Sequence, residues 1–253
     1  GMIMKPVFTA AKAAPKRVAY AEGEEERVLR AVQGVVDEGL ARPILIGRPE
    51  VIESRIERLG LRLKIGENIE VTNINDAPRF NEYWQYYHGL TGRRGVTVAA
   101  AKNLMRSRPT LIAAVMVARG EADAMLTGIV GRFHKKLGYV RSVLPLESKV
   151  TSTSAMTGVI NQQGVFFFVD THVQEDPTAE QLCEATLQAA YRMKLFGVEP
   201  KVALLSHSNF GSHDSKDALK MRQVRELLLK RNPRLNVDGE MQGDTAWDEA
   251  LRQ

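Results

Sequence analysis

Hydrophobic and polar positions alternate along the first half of the chain between short apolar runs and longer segments with a helical repeat. Short apolar runs predict strands, and the segments with a helical repeat predict helices. Strands are predicted at Arg17–Ala21, Pro43–Gly47, Ile69–Ile74 and Asp123–Thr127. Helices are predicted at Glu24–Asp37, Glu50–Leu59, Arg79–Tyr87, Val96–Met105, Leu111–Arg119 and Gly131–Val143.

The second half repeats this alternation. Strands are predicted at Val165–Asp170, Lys201–Leu205 and Leu235–Asp238, and helices at Asp176–Phe196, Ser215–Arg231 and Asp244–Leu251. Asp176 is the predicted N-cap of the long helix, because Pro177 after it suits the first helical position. Alternation of strands and helices predicts an α/β fold, with mainly parallel sheets that are covered on both faces.

Composition narrows the class of protein. The 253 residues are 44% hydrophobic and 26% charged, which suits a globular protein of one large or two medium domains. The net charge of +5 comes from dispersed Lys and Arg rather than a basic tract, so we expect no nucleic-acid partner. No apolar run reaches the length of a membrane span. Cys183 is the only cysteine, which together with the lack of a signal peptide indicates a reducing, cytoplasmic setting.

The segment LLSHSNFGSHDS, residues 204–215, ends a predicted buried strand in an unusually polar loop. Ligands of α/β folds bind beyond the carboxyl ends of the strands. Ser206–Ser212 is therefore a candidate binding loop, together with Thr127–Gly128 and Asp170–His172, which also follow predicted strands. The alternative is a polar loop that ends in a helix N-cap at Ser212, Asp214 or Ser215, and the residues alone leave both interpretations open.

Four basic or titratable side chains follow Gly131 at the start of a predicted helix. They are Arg132, His134, Lys135 and Lys136. A solvated basic face is one interpretation. The other is a contact for a ligand phosphate, because cations and a helix N-terminus both favour anions.

Two other groups of residues, a possible nucleophilic triad and a possible metal site, are not supported by their spacing or context. Ser206, His207 and Asp214 are the residue types of a nucleophilic triad, but adjacent Ser and His side chains point apart and no G-x-S-x-G motif is present. Asp170 ends a strand and Asp176 is explained as a cap, so a metal site there is not expected. We therefore predict no catalytic residue and no metal ligand.

Several blocks resemble phosphate acetyltransferase (phosphotransacetylase) in the same order. They are YAEGEEERVLRA, PILIG, GEADAMLTG, FFFVDTHVQEDPTAEQL, PKVALLSHSNFGS and VDGEMQGDTA. More closely, YWQYYHGLTGRRG and LLSHSNFGS resemble the C-terminal phosphotransacetylase-like domain of large bacterial malic enzymes that use NAD(P).

The resemblance implies two α/β/α lobes, similar to the isocitrate dehydrogenase architecture, with a ligand cleft between them. It implies that residues 1–16 are a linker from a malic domain that this sequence lacks. Residues 17–145 would form the first lobe, incomplete without a further C-terminal stretch, and residues 146–253 the second lobe.

Departures from the family pattern bear on activity. The resemblance implies a Thr-Thr pair followed by an Arg after the T-G segment, and the matching positions here are Arg132, Phe133 and Gly138. Thr91 replaces another family arginine. Acyl-phosphate chemistry needs cations on the developing charge, and each lost donor costs about 3 kcal/mol.

The resemblance therefore implies a regulatory domain that binds acetyl-CoA as an effector. NAD(P) and Mg²⁺ or Mn²⁺ would bind only in the absent malic domain. An active acetyltransferase and a structural oligomerisation module are the alternatives, and a homodimer or higher homo-oligomer is expected. The predicted contacts of acetyl-CoA or phosphate are Thr127, Gly128, Arg132, Lys135, Asp170, Ser206, Ser208, Asn209, Gly211 and Ser212.

Overall fold

The computed structural model describes residues 3–251 and separates the chain into two compact units, with the division after Pro145. The first unit holds one parallel sheet in the order β3-β2-β1-β4. Its strands are β1 (Lys16–Tyr20), β2 (Ala41–Gly47), β3 (Glu70–Asn73) and β4 (Ala124–Leu126). All four predicted strands of this half are confirmed, and so is the parallel pairing.

Seven helices surround this sheet in the described part of the first unit. They are α1 (Met4–Ala13), α2 (Glu26–Glu38), α3 (Pro49–Arg58), α4 (Ala77–Thr91), α5 (Val98–Ser107), α6 (Pro109–Ala118) and α7 (Phe133–Val143). A 3₁₀ turn at Gly92–Arg94 follows α4. The sequence did not predict α1, which lies in the stretch 1–16 expected to be a linker and buries none of its side chains.

Successive side chains along each strand point to opposite faces of the sheet, and each face has its own hydrophobic core. Ala19 of β1 and Ile44 of β2 pack on the face that contacts α4, α5 and α6, whereas Tyr20 and Leu45 pack on the face that contacts α2 and α3. Helix α6 is buried on all sides from Thr110 to Met116. Because both faces of the sheet are covered, the α/β fold expected from the sequence is confirmed.

In the described part of the second unit, residues 146–251, the strands form two small sheets. The elements of this unit are β5 (Met156–Asn161), β6 (Gly164–Val169), α8 (Ala179–Leu195), β7 (Lys201–Leu205), α9 (Lys216–Arg231), β8 (Asn236–Met241) and α10 (Gly243–Trp247). Strands β7 and β8 are parallel, and β5 and β6 form an antiparallel hairpin. The core of this unit joins both long helices to the parallel pair, through residues that include Cys183, Leu204 and Val224.

Three predictions for the second unit were wrong. The segment Val165–Asp170 was expected as a buried strand of a parallel sheet, but it pairs antiparallel with the unpredicted β5 and its side chains are half-buried or exposed. Helix α8 begins after Thr178, whose hydroxyl and Gln181 form a reciprocal capping box. Asp176 instead contacts Lys220. The last helix ends at Trp247 rather than Leu251.

Within residues 3–251, no helix combines the length and the hydropathy that a membrane crossing requires.

Candidate functional site

A cavity of about 1000 Å³ lies at the carboxyl edge of the sheet in the first unit. The loops after β1, β2 and β3 form part of its wall, together with the start of α6 and the first turns of α7. This position agrees with the general rule that ligands of parallel sheets bind where the strands end.

The N-cap of α7 and one face of the helix contribute four side chains to the cavity. They are Arg132, Lys135, Lys136 and Tyr139, which follow the i, i+3, i+4, i+7 spacing of a helix face. Arg132 and Lys135 are exposed, and neither forms a salt bridge among the described residues. Both cations are therefore available to an anionic ligand.

Lys136 differs from its two neighbours because it is already paired. Its ammonium contacts the carboxylate of Glu22, and the two side chains are only 16% and 10% exposed. The ammonium also donates to the hydroxyls of Thr110, at 3.2 Å, and Thr127, at 3.1 Å. These two hydroxyls share a hydrogen bond of 2.8 Å. The basic run thus divides into two available cations and one that belongs to a polar cluster in the cavity wall.

Glu22 is the centre of that cluster, which we call the Glu22 cluster and define as Glu22, Thr110, Thr127, Gly128 and Lys136. Besides Lys136, the carboxylate accepts from the Thr127 hydroxyl at 3.1 Å and from the Gly128 N–H at 3.2 and 3.3 Å. Gly128 has a φ of +136°, a conformation that glycine adopts without strain. Thr127 and Gly128 therefore reach the cavity through Glu22.

In the second unit, the predicted loop Ser206–Ser212 is held mainly by its own polar groups. Ser208 is fully buried, and its hydroxyl donates to Glu240 at 2.9 Å and accepts from the His213 N–H at 3.1 Å. The Ser212 hydroxyl accepts from the Asn209 N–H at 2.9 Å. Contact of this loop with a ligand stays a prediction, but most of its hydroxyls already have partners inside it.

Ser206 and Asn209 make similar local contacts. The Ser206 hydroxyl accepts from the Ser208 N–H at 3.2 Å, and the side-chain Oδ1 of Asn209 accepts from the Gln242 N–H at 2.8 Å. The N-cap of α9 is Ser215, whose hydroxyl accepts from the Ala218 N–H. Of the three caps considered from the sequence, Ser215 is thus the one observed.

Glu240 is buried beside the loop Ser206–Ser212, with 1% of its surface exposed, and holds the loop through hydrogen bonds. Its carboxylate accepts from Ser208, from the Gly211 N–H at 2.7 Å and from Arg222 Nε at 3.0 Å. Burial alone would raise the pKa of the Glu240 carboxyl, but the hydrogen bonds from Arg222, Gly211 and Ser208 outweigh burial and lower the pKa to about 2. We call Glu240 and these three donors the Glu240 cluster.

Asp170 has a comparable local role. Its carboxylate accepts from the backbone N–H groups of Ala155 and Gln174, both at 2.8 Å, and from Val173 at 3.2 Å. Burial would raise the pKa of Asp170, but these backbone donors lower it. The carboxylate therefore fixes the loop after β6.

The structure groups the predicted residues within each unit. Arg132 and Lys135 line the cavity of the first unit, and Thr127 and Gly128 contact Glu22 in its wall. The five predicted residues between Ser206 and Ser212 share one loop, and Asp170 organises another. Among residues 3–251, no group of three or more His, Cys, Asp or Glu side chains is placed to hold a metal ion.

Sequence reasoning missed Glu22, Thr110, Lys136 and Glu240. Lys136 was treated as part of a basic run, although its spacing from Arg132 and Tyr139 was a usable signal for one helix face. Glu22 stands in the acidic segment EGEEE, which resembles the charged start of a helix. Nothing in the local sequence separates Glu22 from the other glutamates of that segment.

Two residues that replace arginines of the transferase pattern, Gly138 and Thr91, can be located in the structure. Gly138 lies on α7 but does not line the cavity, and the space where its Cβ would stand is open. Thr91 is buried, and its hydroxyl donates to the Tyr87 carbonyl at 2.8 Å. Neither residue places a positive charge on the cavity.

Solved structures of known proteins share this fold. A phosphotransacetylase from Streptococcus pyogenes superposes with a TM-score of 0.86 at 24% identity, over 98% of this chain and 77% of that one. The EutD phosphotransacetylase from Staphylococcus aureus gives a TM-score of 0.83 at 23% identity, over 96% of this chain and 74% of that one. At these identities the likeness shows the fold.

Sequence relatives fall into two groups. An NADP-dependent malic enzyme of Escherichia coli is 51% identical over 99% of this chain and 33% of that protein. A phosphate acetyltransferase of Nitratidesulfovibrio vulgaris is 32% identical over 92% of this chain and 32% of that protein. The chain spans about a third of the length of these relatives, and both resemblances expected from the sequence are confirmed.

The sequence profile of the phosphate acetyl/butaryl transferase family matches residues 2–253, which is almost the whole chain. This chain therefore belongs to the phosphate acetyl/butaryl transferase family.

Proposed function

We propose that this chain is the phosphotransacetylase-like domain of a malic enzyme and that it binds acetyl-CoA as a regulatory effector. The parent protein would oxidatively decarboxylate malate to pyruvate in the cytoplasm. NAD(P) and a divalent metal would bind in a malic domain outside this sequence. Malic enzymes that are 47–51% identical to the chain support the first part of the proposal.

The observation that carries the binding proposal is the pair of available cations on the cavity of the first unit. Arg132 and Lys135 are one helical turn apart and both line the 1000 Å³ space. Coenzyme A carries several phosphate charges, and phosphate is bound well by paired cations near a helix N-terminus. The cavity volume is at the upper end of the range for small-molecule sites, which suits a ligand of that size.

A binding role is favoured over transfer of the acetyl group because the transferase positions Thr91 and Gly138 carry no cation. Without those two cations the developing oxyanion is stabilised less, while the other cations of the cavity retain affinity for phosphate. An active acetyltransferase is the second candidate, supported by membership of the family.

The first test measures acetyl-CoA binding to the chain by titration calorimetry. Arg132→Ala with Lys135→Ala should weaken binding at least about tenfold, since each charge-assisted hydrogen bond contributes about 1.5–3 kcal/mol. The matched control is Arg93→Ala with Arg141→Ala, which removes two exposed cations of the same unit that do not line the cavity. Equal weakening by both double variants, or no binding by the wild-type chain, contradicts the proposal.

A second assay separates sensing from catalysis. Acetyl-CoA and inorganic phosphate are incubated with the chain, and formation of acetyl phosphate is followed. Turnover near 1 per second or faster, which is typical of enzymes, would establish the transferase instead. In the longer malic enzyme, the cavity variant should lose the response of malate oxidation to acetyl-CoA, by the 5–150-fold typical of coupled sites.

A further inference from the structure

The Glu22 cluster has the composition of an anion-binding site. One ammonium group, one backbone N–H and two hydroxyls converge, from Lys136, Gly128, Thr110 and Thr127. Such donors are the groups that bind phosphate oxygens in proteins. Three of these groups, from Lys136, Gly128 and Thr127, contact the carboxylate of Glu22, which is an anion supplied by the chain itself. The Thr110 hydroxyl contacts Lys136 and Thr127 instead.

Three features separate this arrangement from an ordinary surface ion pair. The two charged side chains are 16% and 10% exposed, whereas a surface pair such as Lys12–Glu38 is about half exposed on each side. Both Glu22 and Lys136 line the 1000 Å³ cavity, so a ligand there has access to the cluster. Lys136 also follows Lys135 on the same helix face, which places the cluster next to the available cations.

We propose that Glu22 occupies an anion subsite of this cavity and so restricts which phosphate-bearing ligands bind there. A phosphate group that reaches Lys136 has to displace the carboxylate or bind beside it, and like charges at that distance repel. Glu22 thereby directs phosphates toward Arg132 and Lys135. This inference rests on the proposed function insofar as the cavity takes a phosphate-bearing ligand.

The test uses inorganic pyrophosphate as the probe and titration calorimetry as the measurement. Glu22→Gln removes the charge and nearly keeps the shape, so pyrophosphate should bind about tenfold more tightly than to the wild-type chain. The matched control is Glu25→Gln, which removes the same charge from the wall of the same cavity. A general change in the electrostatic potential of the cavity would raise the pyrophosphate affinity of both variants alike. If Glu22 occupies the anion subsite, only Glu22→Gln makes that subsite available and gives the larger increase.

A further variant identifies the cation. Adding Lys136→Met to Glu22→Gln should return the affinity for pyrophosphate to about the wild-type value, because the released ammonium is then absent. If Glu22→Gln binds pyrophosphate no more tightly than Glu25→Gln, or if the gain persists without Lys136, the proposal is overturned.

Folding of the variants is checked by thermal melting in the same buffers. Where Glu22→Gln fails to fold, Glu22→Asp and Glu25→Asp replace the pair, because the shorter side chain withdraws the carboxylate but keeps its charge. Glu22→Asp should then exceed Glu25→Asp in pyrophosphate affinity, and equal affinities overturn the proposal. Failure of the wild-type chain to bind acetyl-CoA would remove the proposed function, while the pyrophosphate comparison would still decide the role of Glu22.

Discussion

Each unit of the molecule holds a glutamate carboxylate among the same kinds of donor. In both, the carboxylate accepts from one basic side chain, one glycine N–H and a hydroxyl. The donors are Lys136, Gly128 and Thr127 around Glu22, and Arg222, Gly211 and Ser208 around Glu240.

The two clusters differ in what lies beside them. Glu240 is 1% exposed beneath a loop whose hydroxyls already have partners, so its donors hold the backbone in place. Glu22 lines a cavity of about 1000 Å³, so its donors are within reach of a ligand. The same kinds of donor therefore stabilise a loop in the Glu240 cluster, whereas in the Glu22 cluster they can also affect ligand binding. The difference is that, of the two clusters, only the Glu22 cluster is next to this cavity.

Removal of the buried carboxylate should have the largest effect on stability. Glu240→Ala leaves the Nε of Arg222 and the Gly211 N–H without their acceptor, while Arg222 keeps its contact with Asp214, and we expect a cost of about 3 kcal/mol. Glu22→Ala should cost less, because water from the cavity can solvate Lys136. The free energy of unfolding is measured by urea denaturation.

The control for this prediction is Asp214→Ala. Asp214 is the second carboxylate on Arg222 but is 77% exposed, so its loss should cost about 0–1 kcal/mol. Similar losses for Glu240→Ala and Asp214→Ala would show that burial does not distinguish the two carboxylates. An equal loss for Glu22→Ala would remove the contrast between the clusters.

Acid should weaken the second unit through Glu240. The pKa of this carboxyl is lowered from 4.5 to about 2 in the folded chain. The carboxylate therefore stabilises the fold fully above about pH 4.5, and this contribution, at most about 3 kcal/mol, is lost as the pH falls toward 2. Unfolding free energies of the wild type and Glu240→Gln, measured between pH 6 and 2, should converge as the pH falls. Parallel curves would contradict the prediction.

The two glycines should show a smaller and similar effect. Gly128 and Gly211 have φ values of +136° and +90°, so Gly128→Ala and Gly211→Ala should each cost about 1–3 kcal/mol. Gly138→Ala is the control, because Gly138 lies inside α7 with open space around it and the change should stabilise the helix by about 0.5–1 kcal/mol. Thermal melts decide the sign, and destabilisation by Gly138→Ala would contradict this reasoning.

The sheet of the first unit could be predicted from sequence because its strands are short apolar runs that end at glycine or polar residues. Strand β2, for example, ends at Gly47 as expected. Strand β5 could not be predicted in this way, since the residues of Met156–Asn161 are mostly exposed and show little alternation. Pairing with β6 determines this strand, and pairing is a tertiary property.

The candidate site could be predicted in part. The cations Arg132 and Lys135 were identified because a helix start after a strand favours anions, and the structure places both on one cavity. The partnership of Glu22 with Lys136 joins residues 114 positions apart. A single sequence contains no local pattern for such a contact, so Glu22 was overlooked.

Helix α6 connects the deepest part of the first unit with the wall of the cavity. Its residues from Thr110 to Met116 are buried, and its first turn supplies the Thr110 hydroxyl to the Glu22 cluster. A change of side-chain volume within α6 would shift the whole helix, because close-packed interiors transmit strain. Sequence drift in α6 would therefore alter fold stability and ligand affinity together. Selection for affinity alone has more freedom at the exposed start of α7, where the N-cap residue Arg132 and Lys135 can change without disturbing the interior.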